Sequence, residues 1–389
     1  MSILVTGADG YIGWPTALRT ANRTDERVVL VDNFGRREWV ASVGARSATP
    51  VASMEERLEA AEDVHGLRNL SFVEGDLTDR SVVDELLQVH EPRAVVHTAA
   101  QPSAPYSQVN GERANFTQHN NMQATRNLAF GLAENDRTDA HLVETTTTGI
   151  YGAPAFPIPE GGSTMYHEGQ QDEVPFPAMA GSWYHMTKSH DAANLRLANT
   201  QFGIPVSDMR TAITYGTETE ETRADDRLKT RFDFDYYFGV VAHRFCAQAV
   251  AGYPLTVYGK GQQRKPFVSL EDAVEGLARL ATGDAGDRPN DHVVYNQVTR
   301  PISIVDMAET IAEVGDEFDL DVDVTHVENP RDEDETHQME IENARYMDLI
   351  GEQALTFEEG VRDVLETLTR YRETIVAHED RFLPDVLEE

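Results

Sequence analysis

Tyr184 and Lys188 stand four residues apart in Ser182-Trp183-Tyr184-His185-Met186-Thr187-Lys188. On a helix that spacing puts a phenol and an ammonium on one face, roughly 5–6 Å apart at Cβ. A neighbouring cation favours phenolate over phenol, so Lys188 is expected to lower the pKa of Tyr184 and make it a proton acceptor. Tyr-x-x-x-Lys alone is a weak pattern. It gains weight from Gly7-Ala8-Asp9-Gly10-Tyr11-Ile12-Gly13 early in the chain and from Thr145-Thr146-Thr147-Thr148-Gly149-Ile150-Tyr151-Gly152 upstream of the pair. A threonine hydroxyl at that strand end can hydrogen-bond a substrate oxygen opposite Tyr184. His185 is expected off the Tyr184–Lys188 face, as a proton carrier or as a packed helix histidine.

Gly7-x-x-Gly10-x-x-Gly13, with Tyr11 and Ile12 inside it, falls between an expected strand and an expected helix. Glycines there permit a tight turn and leave the helix N-terminus free to hold a pyrophosphate. Asp32, followed by Asn33, ends the second strand, where a carboxylate accepts from both ribose hydroxyls and repels a 2′-phosphate. NAD is therefore favoured over NADP. Arg36 and Arg37 nearby could instead admit a 2′-phosphate or bind another anion. Asp76, with Leu77 beside it after the third strand, is placed to meet the adenine.

Short apolar strands at 2–6, 27–32, 70–74, 93–97 and 141–146 alternate with helical patterns near 11–22, 52–65, 79–89 and 112–134. This alternation predicts an α/β fold: a Rossmann-type, doubly wound parallel sheet. A further strand, 206–210, follows the Tyr184–Lys188 helix. Residues 34–55 read as a longer insert and 152–180 as a Pro/Gly-rich one. From 212 the pattern gives helices at 236–251, 269–282, 303–314 and 356–376, with short strands near 255–258, 292–296 and 323–327. Residues 1–211 are expected to form the dinucleotide-binding domain. Residues 212–389 are expected to form mainly a smaller C-terminal substrate-binding lobe, with some segments returning to the first domain.

The 389 residues carry 67 acidic and 33 basic side chains, a net charge of -34. Such a field repels nucleic acid and anionic lipid surfaces. The acids are spread along the chain, and only four of the basic residues are lysines (Lys188, Lys229, Lys260 and Lys265). That balance predicts a halophilic surface in a salt-rich cytoplasm, where screening makes self-repulsion tolerable. The single cysteine, Cys246, rules out an internal disulfide and a cysteine-built zinc site, and no metal is expected. No apolar run is long enough for a membrane span, and the N-terminus lacks a signal-peptide pattern.

The glycine triplet, the Tyr-x-x-x-Lys and Thr147 four residues before Tyr151-Gly152 resemble the extended short-chain dehydrogenase/reductase family, which includes nucleotide-sugar epimerases and dehydratases. Within it the chain resembles the UDP-sulfoquinovose synthases. The likeness is carried by Asp9 to Trp14, Val31-Asp32-Asn33, Ser103 to Ser107, Thr117 to Asn121, Trp183-Tyr184-His185, Arg244-Phe245-Cys246, Pro254 to Gly261 and Asn329-Pro330-Arg331. The resemblance implies conversion of UDP-glucose and sulfite to UDP-sulfoquinovose with NAD recycled, and Thr147, Tyr184 and Lys188 as the catalytic set. It implies NAD contacts from Ala99, Ala100, Gln101, Asn120, Tyr184 and Lys188. It offers Gln101, Ser103, Tyr106, Gln118, His119, Thr147, Arg244, Lys265 and Arg331 for the sugar, pyrophosphate or sulfite. A homodimer through the helices near 112–134 and 183–200 would suit the family. Pro102, Ala99-Ala100 and Ile150 depart from the synthase pattern, and Thr148-Gly149 lacks the acids of the dehydratases. A UDP-sugar 4-epimerase, or a related NAD-dependent oxidoreductase, is the alternative.

Overall fold

The structure, a computed structural model, describes residues 1–284, 291–329 and 337–384. Its centre is a seven-stranded parallel sheet. The first strands and helices are β1 (Ser2–Thr6), α1 (Gly13–Arg23), β2 (Arg27–Asp32), α2 (Gly35–Ala41), α3 (Met54–His65), β3 (Leu70–Glu74), α4 (Arg80–His90) and β4 (Pro92–His97). They continue with α5 (Ala104–Gln108), α6 (Gly111–Glu134) and β5 (His141–Thr147), then a hairpin of β6 (Gly162–His167) and β7 (Gln170–Pro175). Next come α7 (Trp183–Phe202), β8 (Val206–Thr211), β9 (Ile213–Tyr215), α8 (Val241–Ala251), β10 (Leu255–Tyr258), β11 (Arg264–Ser269), α9 (Leu270–Thr282) and β12 (His292–Gln297). The chain closes with β13 (Arg300–Ser303), α10 (Ile304–Asp316), β14 (Val324–Val327), α11 (Ala344–Ile350), α12 (Phe357–Thr369) and α13 (Arg372–Val376).

The sheet runs β3-β2-β1-β4-β5-β8-β12. Its order reverses between β1 and β4, the crevice in which doubly wound sheets bind ligands. Period-two alternation sends Ile3 and Val5 into one apolar layer, against α1 and α9, and Leu4 into the other, against α4, α6 and α7. A second core lies between α8, α10 and α12, around Phe245, Phe267, Met307, Leu365 and Phe382. The small sheets β13-β11-β9 and β10-β14 belong to that lobe.

β9, β11 and β13 are strands that the periodicity does not give, and other elements differ from it in form or place. Residues 162–175 form an exposed antiparallel hairpin whose two-residue turn, Glu168-Gly169, takes left-handed φ at both positions (47° and 80°). The helix expected over 356–376 breaks into α12 and α13, where the N–H groups of Arg370 and Tyr371 bond carbonyls three residues back. The strand expected at 292–296 joins the edge of the central sheet as β12.

Glu160 fastens the 152–180 insert to that edge. Its Oε1 accepts from the Asn296 and Tyr346 N–H groups at 2.9 and 3.0 Å, and its Oε2 from the Arg345 N–H at 2.6 Å. Replacing Glu160 by Ala strands three backbone donors and is expected to cost about 2–3 kcal/mol of stability, read from the denaturant midpoint in molar KCl.

Candidate active site

The glycine loop is shaped by close approach. Gly7 has φ 74°, and a Cβ on it would lie 2.6 Å from the Ala99 nitrogen; one on Gly13 would collide with the Gly7 carbonyl. Ile12, the residue before α1, gives it no side-chain cap; the Trp14 N–H bonds the Gly10 carbonyl and Pro15 has none, so the N–H groups of Ile12 and Gly13 are the ones left to meet a phosphate. Asp32 Oδ2 accepts from the Asp9 N–H at 2.9 Å and Oδ1 from the Phe34 N–H at 2.7 Å, fixing the carboxylate at the end of β2. Burial raises its pKa, opposed by those two bonds. A cradle that only glycine fills and a fixed carboxylate at the ribose position fit NAD.

Beneath the loop lies a carboxylate that the glycine pattern leaves unread. Asp9 is fully buried and accepts from Arg37 at 2.6 and 2.7 Å and from Arg57 at 3.1 Å. Arg57, also fully buried, comes from α3 and donates to the Lys229 carbonyl. Burial pushes its pKa down to about 10. Of the Arg36-Arg37 pair, Arg37 thus serves the loop. Arg36 turns the other way, to Asp233 at 2.6 Å, and lies over the Phe238 ring. Asp76 folds back on Thr78 as a turn residue, with both bonds at 2.8 Å. Leu77 is buried, its carbonyl bonded by Asn127. Asn33 is exposed and closes its turn by accepting from the Gly35 N–H.

Past β4, Gln101 is buried and bonded to both backbone groups of Ser103, so its amide locks the turn. Asn121 on α6 accepts from the Gln101 N–H and donates to its carbonyl and to Thr187 on α7. Asn120 leans on Asn121. Ser103 caps α5 and donates to the Tyr237 carbonyl, while Tyr106 packs on Phe238. Ser107 accepts from the Tyr184 N–H at 3.1 Å, which fixes the start of α7.

Of the four threonines, Thr145, Thr146 and Thr148 are buried and only Thr147 is part-exposed. Its hydroxyl donates to the Thr211 carbonyl and accepts from the Gly149 N–H, both at 3.2 Å. His185 is not off the site: a Cβ on Gly149 would collide with its ring, which lies 5.2 Å from that of Tyr184. Lys188 is buried, its Nζ 3.4 Å from Asp191 Oδ2 and 3.7 Å from Glu144 Oε1.

Lys188 acts on Tyr184 in the expected direction, but the net shift is the opposite one. Burial raises the phenol pKa; Lys188 pulls it down, Asp191 pushes it up, and Arg36 pulls it down again, with a net rise. The cation is present, but burial of the phenol outweighs it, and Asp191 opposes it as well. Sequence could have flagged both acids, since Glu144 interrupts an apolar strand and Asp191 lies one turn from Lys188.

The structure does not bring together every expected substrate contact. Gln118 lines an outer groove of about 350 Å³ with Trp183 and Asn110, and His119 is exposed on α6. Arg244 is buried on α8 with its guanidinium 4.9 Å over the Tyr258 ring, and Lys265 lies on β11 in the same lobe. Arg331 lies outside the described residues.

Known proteins agree with this fold. The chain is 35% identical over 373 residues to the chloroplastic UDP-sulfoquinovose synthase of Spinacia oleracea, covering 96% of this chain and 76% of that one. It is 39% identical over 341 residues to the UDP-sulfoquinovose synthase of Sulfolobus acidocaldarius, covering 87% and 84%. The UDP-glucose 4-epimerase of Thermotoga maritima, solved with UDP-glucose, superposes with a TM-score of 0.67 at 20% identity, covering 96% of this chain and all of that one. The sequence pattern of the NAD dependent epimerase/dehydratase family matches residues 3–296. With the glycine cradle and the Tyr184–Lys188 helix in one crevice of a doubly wound sheet, the chain belongs to that family.

Proposed function

We propose that the protein is a UDP-sulfoquinovose synthase, converting UDP-glucose and sulfite to UDP-sulfoquinovose and water through a 4-keto sugar. The observation that carries this is identity of 35% and 39% to two such synthases across most of the chain. NAD, when bound, supplies the reversible removal of hydride from sugar C4. Tyr184 takes the proton of the 4-hydroxyl and later returns it, and Thr147 orients that oxygen. The 4-ketone acidifies C5, so the C5 proton and the C6 hydroxyl leave as water. Sulfite sulfur then bonds to C6 as C5 regains a proton. His185, on Gly149 beside Tyr184, is the group for the C5 proton. Residues 1–211 hold NAD, residues 212–389 mainly supply sugar contacts, and Arg331 is the natural bidentate partner for a phosphate. Exposed Trp183, Met186, Leu197 and Phe130 on α6 and α7 support a homodimer through those helices. The acid-rich surface suits a salt-rich cytoplasm.

A 4-epimerase is the second reading, favoured by one feature: Thr148 and Gly149 carry no acid for elimination. Protein in molar KCl, given UDP-glucose with and without sulfite, is expected to make a sulfonated nucleotide sugar only with sulfite, detected by mass spectrometry. UDP-galactose formed without sulfite would replace the synthase with the epimerase. Tyr184→Phe is expected to lower turnover about 10²–10⁴-fold while NAD binding, followed by fluorescence quenching, is retained.

A further inference from the structure

Below the phenol lies a knot of charge that the chemistry above leaves unused. Lys188 Nζ reaches Asp191 on its own helix and Glu144 on β5, and none of the three side chains is more than 4% exposed. Thr125 on α6 donates to Glu144 Oε1 at 2.8 Å. Glu144 Oε2 and Asp191 Oδ1 are buried with no hydrogen-bond partner. Two ionised carboxylates and one ammonium would leave a net negative charge where neither water nor a counter-ion can reach it. A buried site relieves that cost by retaining a proton.

We propose that Glu144 and Asp191 share one proton at neutral pH and thereby decide how much of the Lys188 charge Tyr184 receives. Both are positioning residues. The proposal rests on Tyr184 being the base of the reaction.

The surroundings favour sharing. Burial raises both carboxyls, Asp191 raises Glu144 further, and Lys188 pulls each back. Burial lowers Lys188, but Asp191 and Glu144 outweigh it and hold the ammonium well above its usual value. On β4, His97 is neutral, burial and Lys188 pushing it down to about 3. On β8, Asp208 is paired with Arg210 at 3.1 Å. His190 lies on the exposed face of α7, His185 stands beside Tyr184, and Arg36 faces the phenol from α2. None of these supplies Lys188 with another anion.

The sign follows. While the proton is held, the knot is neutral and Lys188 still favours phenolate. As pH rises and the pair loses that proton, the knot becomes negative and disfavours the phenolate. Sugar oxidation should therefore fall on the alkaline side, and with a single carboxyl opposite Lys188 the fall should come only at higher pH, where the ammonium itself loses its proton.

The test uses NAD-loaded full-length enzyme mixed with UDP-glucose, with reduced nicotinamide followed by absorbance from neutral to alkaline pH. In Glu144→Gln the alkaline edge is expected to move up by about one pH unit or more. Thr125→Val removes a bond that favours ionised Glu144 and leaves every charge in place, so it should move the edge the same way. A purely structural role would scale the rates of both variants without moving the edge, and that result overturns the proposal. Infrared difference spectra on titration provide a readout independent of activity. A protonated-carboxyl C=O band at neutral pH, lost in Glu144→Gln, is expected; its absence from the wild type would also overturn the proposal. If Tyr184→Phe keeps full activity, the assignment of the base fails, while the infrared band still decides the shared proton.

Discussion

A charge taken out of water must be matched close by, and Lys188 is where that requirement shapes the site. Its buried ammonium lies on the helix of a half-buried phenol, Tyr184, and the fold brings two acids to meet it. Each draws on a different layer of the fold: Asp191 on the helix that carries Tyr184, Glu144 on the strand that ends in Thr147. Thr125 and Asn121 bind the long α6 helix to the same knot, through Glu144 and through Thr187. The face that carries Tyr184 and Lys188 is therefore held as one unit. Burial lifts Tyr184 above its ordinary range, and a carboxylate close enough to hold the lysine, Asp191, offsets part of the pull by which Lys188 opposes that rise.

The same constraint organises the other end of the crevice. Asp9 is buried inside the glycine loop and satisfied by Arg37 from α2 and Arg57 from α3. Without both arginines Asp9 would be a buried, unmatched charge, a loss that typically costs about 3–5 kcal/mol. The glycine loop thus depends on residues 35–57, a stretch with no counterpart in the glycine pattern itself. Trp14 adds a neutral tie, donating to the Leu228 carbonyl at 2.7 Å from under the Arg57 guanidinium.

The first five strands and their helices were legible because apolar runs, glycines and helix periodicity agree with one another there. The glycine loop, Asp32, Thr147, Tyr184 and Lys188 were legible as a set because their order along the chain matches their places on a doubly wound sheet. β11 and β13 were not, since each carries a proline, Pro266 and Pro301, and these face each other in the antiparallel register. A proline inside a short run argues against a strand unless its pairing is known. Arg36 and Arg37 were interchangeable in sequence. Once α2 starts at Gly35, behind the left-handed Phe34, successive residues diverge by about 100° and only Arg37 meets the loop. The pKa of Tyr184 was misread because a local pair shows the cation and hides the desolvation of the phenol, the larger effect.

The surface charge and the buried charge answer to different conditions. In molar salt the Debye length is about 3 Å, so exposed carboxylates neither repel one another strongly nor act on the crevice. Charges that steer chemistry there must be sealed from solvent, as Lys188, Glu144, Asp191 and Asp233 are. The lysines follow that division: Lys188 and Lys229 are buried, Lys265 is half-buried, and Lys260 alone is exposed. Each buried one faces two carboxylates, Lys229 with Glu218 at 3.2 Å and Asp226 at 3.8 Å. A compact ammonium on a flexible stem can stand between two acids, while a planar guanidinium presents its donors as a fixed fork. Arginine therefore serves the bidentate pairs, as at Asp9 and Glu221, and lysine is kept where a point charge is required.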